Sequence, residues 1–357
     1  ESEAGPVWSA PFAFHTAPDL KQYQCKVPFT FTGYTAGETL TNFPALIVLG
    51  GRLNGFSYSQ FTSADGSDLR FTDDTGALLD HEIETWNTGG DSHVWVRIPK
   101  LTSGTKIWAH WRTTAPFDIP VSLGNGAVWD GTFCGVYHLS PALKDATQNT
   151  NHLADSSTAH DAGAVSSARL FNGSAYLTAG PSVSLGVSEA FTFSVWMKTG
   201  SANNMYLYGR DNGNGAYQHA LIRDGATGMV KLQVDGGFGN LAAVDTYIAV
   251  PDSGWHQYVY AYNGNAFSAY RDGVIQQQNV RLLAFRQTDA FYPNRSRLGA
   301  SQGTASSPLT GSLDEFRVEE AGRSANWILA NYLTQASPET FYTYGVVQTR
   351  GTVIMLF

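Results

Sequence analysis

The chain has 357 residues, enough for two ordinary domains or one large β domain. Charged residues make up only 15% and aromatic residues 13%, with 37 glycines, so Ser, Thr, Asn and Gly cover the surface as in a turn-rich, extracellular all-β protein. A net charge of −8 without any Lys/Arg run argues against a nucleic-acid partner, and no apolar run has the length of a membrane-spanning helix.

Residues 1–20 read as a lead-in segment, and the start at Glu1 leads us to expect that any secretory signal peptide is already gone. Strands begin at Tyr23: YQCKVPFTF puts Tyr23, Cys25, Val27, Phe29 and Phe31 on one face. FPALIVLG, DLRFTD, HEIETW, HVWVRIP and KIWAHWR follow, separated by Gly, Asp, Asn and Ser clusters. Their spacing predicts a β-sandwich over about residues 21–120, with Trp86, Trp95, Trp108 and Trp111 filling its core.

The pattern lapses at PFDIPVSLGN, and a second region opens at Val128. Residues 144–163 are polar and read as a loop. ARLFNGSAYLTA, from Ala168, reads as two short strands broken by an Asn172-Gly173 turn. In FTFSVWMK, Phe191, Phe193, Val195 and Met197 alternate with Thr192, Ser194, Trp196 and Lys198, which predicts a strand with its inner face in a core. The outer face is left as a place to look for a ligand. Further strands run to Ser301, with hairpin signals at Asn263-Gly264 and Asp272-Gly273. SANWILANYLTQ is the one expected helix, with Ser324 as N-cap and Trp327, Ile328, Asn331 and Tyr332 on one side. The last residues, 346–357, form a strand-like tail.

From about Val128 to Gly345, GVYHLS, ARLFNGSAYLTA, FTFSVWMKT, GWHQYVYAYNGNAFSAYRDGV and GSLDEFRVEEAGRSANWI occur in an order that resembles LamG-type (laminin-G, concanavalin A-like) jelly rolls. The resemblance implies an antiparallel two-sheet sandwich over residues 126–345 with a curved concave face. NFPALIVL, GSDLRFTDDTGALLDHEIETW and HVWVRIPKL are similar to a bacterial domain of unknown function that often precedes such jelly rolls. The fold expected is therefore all-β, two tandem antiparallel sandwiches with one short helix near the C-terminus.

The concanavalin A-like fold also hosts glycosidases, which need two carboxyl groups flanking the scissile bond. No Glu-x-Asp-x-Glu run is present. Glu82 and Glu84 alternate in HEIETW, but the first-domain resemblance gives them no role. Asp314 and Glu315, being adjacent, are expected to point to opposite faces. Neither a nucleophile elbow nor a phosphate loop occurs, and the nine histidines show no zinc spacing. The jelly-roll resemblance implies a structural calcium ion at the rim, for which Asp145, Asn149 and Asp314 are the candidates, against a capping or ion-pairing role for Asp314. Sugars need an aromatic platform with amide and carboxylate partners, and residues 203–224 concentrate them: Tyr206, Tyr208, Arg210, Asp211, Asn214, Tyr217 and Gln218. The function expected is non-enzymatic recognition of glycans or a surface protein, secreted or on a bacterial surface. The alternative is a structural subunit of a surface layer or filament, self-associating through terminal strands. Cys25 and Cys134 leave two readings: a buried free thiol in each domain, or a staple between them.

Overall fold

The structure, a computed structural model, describes residues 18–179, 190–211, 217–235, 241–280, 296–301 and 306–350. Seven strands build the first domain: β1 (Tyr23–Thr30), β2 (Leu40–Leu49), β3 (Arg70–Asp73), β4 (Leu78–Leu79), β5 (His81–Thr85), β6 (Ser92–Leu101) and β7 (Lys106–Thr113). β2, β6 and β5 form a three-stranded sheet, while β1, β7, β3 and β4 lie side by side in a second sheet. Alternation places Cys25, Val27 and Phe29 of β1 in the core between them. Of the four tryptophans expected there, Trp95 and Trp111 are fully buried. Trp86 and Trp108 are only half-buried, and Trp108 lies beneath the ammonium groups of Lys26 and Lys106 instead.

After a single-turn helix α1 (Ser122–Asn125) come β8 (Phe133–Tyr137), β9 (Ala154–Ser156), β10 (Ala159–Ala162), β11 (Ser167–Asn172), β12 (Tyr176–Thr178) and β13 (Phe191–Lys198). They are followed by β14 (Met205–Asp211), β15 (Tyr217–Asp224), β16 (Met229–Asp235), β17 (Leu241–Ala249), β18 (Trp255–Tyr262), β19 (Phe267–Arg271), β20 (Val274–Val280), β21 (Ser296–Leu298) and β22 (Thr310–Glu319). An eight-stranded sheet, ordered β10-β11-β22-β13-β18-β19-β20 with β8 also on β22, packs on a seven-stranded sheet, ordered β17-β16-β15-β14-β21-β12-β9. Their facing side chains make the second core, with Phe191, Phe193, Val195 and Met197 at its centre.

Three expectations change. The stretch 144–163 contains β9 and β10, short edge strands too polar to announce themselves. The Asn172-Gly173 turn forms, with Asn172 Oδ1 accepting the N–H groups of Ser174 and Ala175 and Gly173 at φ 86°. It joins no hairpin: β11 pairs with β10 and β22, whereas β12 pairs with β9 and β21, so the turn passes the chain from one sheet to the other. By contrast Asp272-Gly273, at φ 53° and 73°, closes the β19–β20 hairpin as its two-residue turn should.

The third change concerns the domain limits. The helix α2 (Ala325–Ala336) is capped by Ser324, whose hydroxyl oxygen accepts the Trp327 N–H at 3.2 Å. It leads through α3 (Pro338–Phe341) to β23 (Thr343–Tyr344) and β24 (Gln348–Thr349). Both strands pair with β1, at Phe29–Tyr344 and Cys25–Thr349. Phe341 and Tyr342 lie in the first core, as do Val128, Trp129 and Phe133. The second region therefore neither begins cleanly at Val128 nor ends at Gly345; the tail completes the first domain. Cys25 and Cys134 are buried free thiols in separate cores, which settles against the staple.

Candidate functional site

The outer face of β13 is not open. Thr192, Ser194 and Trp196 are 1%, 3% and 4% exposed. The Trp196 indole stacks on Tyr332 at 5.6 Å and donates to Gln335 Oε1 at 2.7 Å, both on α2. Beyond it Ile328 packs on Val259, Ala261 and Tyr270 of the same sheet. The helix has a second partner. Trp327 meets Phe43 of β2 edge-on at 5.2 Å, and the Leu46 N–H donates to Thr334 Oγ1 at 2.9 Å. Its apolar residues thus divide between two domains rather than covering one side, and α2 is a layer between them.

Beside this helix the sheet carries charge. β13 and β22 pair Ser194 with Arg317 but Trp196 with Asp314, so one extra residue of β22 bulges out. Glu315 sits there at φ 46°, a left-handed conformation uncommon for a residue with a side chain. The bulge cancels the simple alternation. Asp314 and Glu315 do not point to opposite faces; both lie on the side away from the second core, fully buried. From the first domain, β5 brings Glu82 and Glu84 to the same place, and the residue after β8, His138, completes the group.

The contacts are close and continuous. His138 Nδ1 lies 2.7 Å from Glu315 Oε1 and 3.7 Å from Glu84 Oε2, while its Nε2 is 3.6 Å from Glu82 Oε1. Arg317 donates to Glu315 Oε2 at 2.6 Å and to Asn331 Oδ1 at 2.8 Å. Its guanidinium rests between Trp95 and Trp129, at 4.5 and 4.8 Å. The same two indoles donate to Glu84 Oε2 and Glu82 Oε2, each at 2.8 Å. Gln335 donates to Asn331 Oδ1 at 2.9 Å, so the polar chain runs from β5 through β22 to α2 and Trp196.

Burial sets the protonation states. It raises the Glu84 carboxyl to about 8 in spite of His138, and together with the Glu315 charge it pushes Asp314 well above the usual carboxylate range. Burial also opposes the charges of Glu315 and His138, but here the partners win. His138 and Arg317 hold Glu315 below its ordinary value, and Glu315 and Glu84 lift His138 well above its own. The junction thus gathers His138 and Arg317 against Glu82, Glu84 and Glu315. Three buried atoms in it have no hydrogen-bond partner: Glu84 Oε1, His138 Nε2 and Arg317 Nε. Sequence reasoning passed over this junction. Its one signal was acidic and basic residues alternating through GSLDEFRVEE, inside a strand flanked by core residues.

The expected sugar-binding residues scatter. Tyr206 is half-buried on β14. Tyr208 does not face a ligand: a register shift after Tyr206 turns it inward, where it is 1% exposed against Phe193 and Phe316. Arg210 is buried as well. Asp211, Tyr217 and Gln218 lie on β14 and β15, but their side chains, and all of Asn214, fall outside the described residues.

The expected calcium ligands are occupied by the fold. Asp145 accepts the N–H groups of Val136, Thr147 and Asn151, and the Asn149 amide donates to the carbonyls of Phe133 and Cys134. Asp314 accepts the N–H groups of Val165 and Glu315. Oxygens already committed to backbone N–H groups are a poor fit to a cation that wants six to eight oxygen ligands. The capping role weighed for Asp314 is the one its contacts describe.

Residues 171–329 match the concanavalin A-like lectin/glucanases superfamily, and residues 65–115 match a domain of unknown function, DUF2341. Both matches fall where the residue patterns placed the resemblances. Among solved structures, domain 4 of an extracellular GH43 arabinanase from Geobacillus stearothermophilus, in complex with arabinotriose, is 18% identical with a TM-score of 0.46, covering 56% of this chain and 97% of that one. The binding domain of Paraclostridial mosquitocidal protein 1 is 14% identical with a TM-score of 0.45, covering 56% and 52%. The receptor binding domain of botulinum neurotoxin D is 12% identical with a TM-score of 0.46, covering 57% and 53%. The match thus spans about half the length of the two toxin domains. No curated protein matches the chain.

Proposed function

We propose that the chain is a non-catalytic extracellular module that recognises glycans, serving adhesion or substrate targeting on a secreted or bacterial-surface protein. One observation carries this reading: the outer face of the seven-stranded sheet. The registers of β14 to β17 set Tyr206, Ile222, Lys231 and Tyr247 side by side across four strands. Toward the other edge the Arg297 guanidinium lies over Tyr176 at 4.4 Å. Half-buried tyrosines beside cationic groups offer both the apolar platform and the hydrogen-bond donors a pyranose needs. The opposite sheet has its outer face under α2 and the first domain, which directs a ligand to this one. The superfamily includes lectins and glucanases. The gathered glutamates favour the lectin side, because they lie inside the domain junction, where a sugar chain has no access.

The test is a glycan array with polysaccharide pull-downs, using the whole chain. Tyr206→Ala and Tyr247→Ala should each weaken binding by about 10-fold, the cost of an aromatic contact. Silence of the wild-type protein across a broad array, or release of reducing sugar from any bound polysaccharide, would sink the reading.

A further inference from the structure

We propose that Glu84, His138 and Glu315 form a binding site for one first-row divalent transition ion, zinc being the natural probe, with ligands from both domains. The three ligand atoms lie within 4.8 Å of one another. His138 Nδ1, Glu84 Oε2 and Glu315 Oε1 are the atoms that face inward, at 3.7 and 2.7 Å from the nitrogen. Around zinc, ligand atoms at about 2.0–2.1 Å in tetrahedral array stand roughly 3.3 Å apart. The two separations from the nitrogen therefore need to change by only about half an ångström, one opening and the other closing. An imidazole with carboxylates suits such an ion, and the fourth position goes to water.

Both carboxylate ligands already have an outer partner of the kind metal sites use. On the far side of the imidazole Glu82 Oε1 lies 3.6 Å from His138 Nε2, and Trp129 holds the other oxygen of Glu82. Trp95 holds Glu84 through its indole N–H and stacks on the His138 ring at 5.6 Å and 16°. Arg317 holds Glu315. Within the cluster the Glu84 side chain, 0% exposed, also keeps one oxygen, Oε1, without a hydrogen-bond partner.

Because the site forms only when the domains meet, the ion would act as a clasp between them, slow to leave while they stay docked.

Metal analysis and calorimetry on the whole chain test this. After EDTA treatment and dialysis, zinc should bind at one ion per chain in the calorimetric titration and by metal analysis. The Tm should rise by at least about 3 °C at saturating zinc. Cobalt should give the visible absorption of a four-coordinate site. His138→Ala removes the nitrogen ligand but endangers folding. Glu84→Gln keeps an oxygen to accept the Trp95 indole N–H but removes the carboxylate ligand, so the chain should still fold cooperatively in EDTA while the zinc-dependent rise in Tm disappears. Zinc that raises wild type and Glu84→Gln equally, or fails to bind with one-to-one stoichiometry, overturns the proposal. Neither result bears on glycan binding at the other sheet.

Discussion

The two faces of β13 are equally buried and chemically opposite. Phe191, Phe193, Val195 and Met197 fill an apolar core, whereas Thr192, Ser194 and Trp196 enter a junction where Glu315, Arg317 and His138 also lie. The inner face depends on shape. Its side chains gain by leaving water, and any of similar volume serve. The outer face depends on pairing. Removing one partner leaves another charge buried and alone, which costs far more than the pair contributes. Equal burial therefore hides two kinds of stability, and substitutions separate them.

Arg317→Ala should destabilise the chain by about 3–5 kcal/mol, because Glu315 loses one of its two buried cationic partners and Trp95 and Trp129 lose the guanidinium packed on them. Phe193→Ala should cost a similar ~3–5 kcal/mol through an unfilled cavity. Urea unfolding reads both. The comparison sharpens when the swaps are gentle. Phe193→Leu should cost no more than about 1.5 kcal/mol. Arg317→Lys keeps the charge but loses the planar fork held between Trp95 and Trp129, and should cost roughly 2 kcal/mol. If Arg317→Lys proved neutral, pairing geometry would not be what holds the outer face.

pH provides a finer separation, measured in EDTA. Glu84 and His138 both have raised values in the folded chain, so each binds its proton more tightly there than when unfolded. Their contribution is full at low pH. It declines for Glu84 between about 4.5 and 8, and for His138 as pH rises above about 6.5, by up to roughly 1.4 kcal/mol per pH unit per group. Glu315, lowered in the fold, acts oppositely: its contribution holds above the usual glutamate range and is lost as pH falls through its folded value. Stability should thus fall as pH rises above about 4.5, and Glu84→Gln should flatten that fall up to about pH 8. The smallest expected effect concerns the thiols. Burial raises Cys134, and both cysteines are shielded, so neither should react with a thiol reagent before unfolding.

The inner face was legible because alternation reports directly on a core. The outer face was not, for three physical reasons. Its covering comes from α2 and from β5, remote in sequence. Glu82 and Glu84 show their spacing but not what they face. The bulge at Glu315 breaks the alternation that would otherwise assign Asp314 and Glu315 to opposite sides. The cap at Ser324 and the Asp272-Gly273 turn were readable because each acts within a few residues. The Asn172-Gly173 turn was readable as a turn, but its role in passing between sheets depends on distant pairing. The same limit applies to the tyrosines: Tyr208 looked like its neighbour Tyr206, and only the register shift separates a buried ring from a surface one.

The pairing of β23 and β24 with β1 has a consequence for how the protein is made. The first domain leaves the ribosome first yet lacks part of its sheet and core until residues 341–349 arrive, after the whole second sandwich. Throughout synthesis β1 carries an unfilled edge, the kind of surface that recruits strands from other chains. The order of translation and the order of completion run in opposite directions, and a nascent chain halted before Thr343 should be held by chaperones or aggregate through that edge.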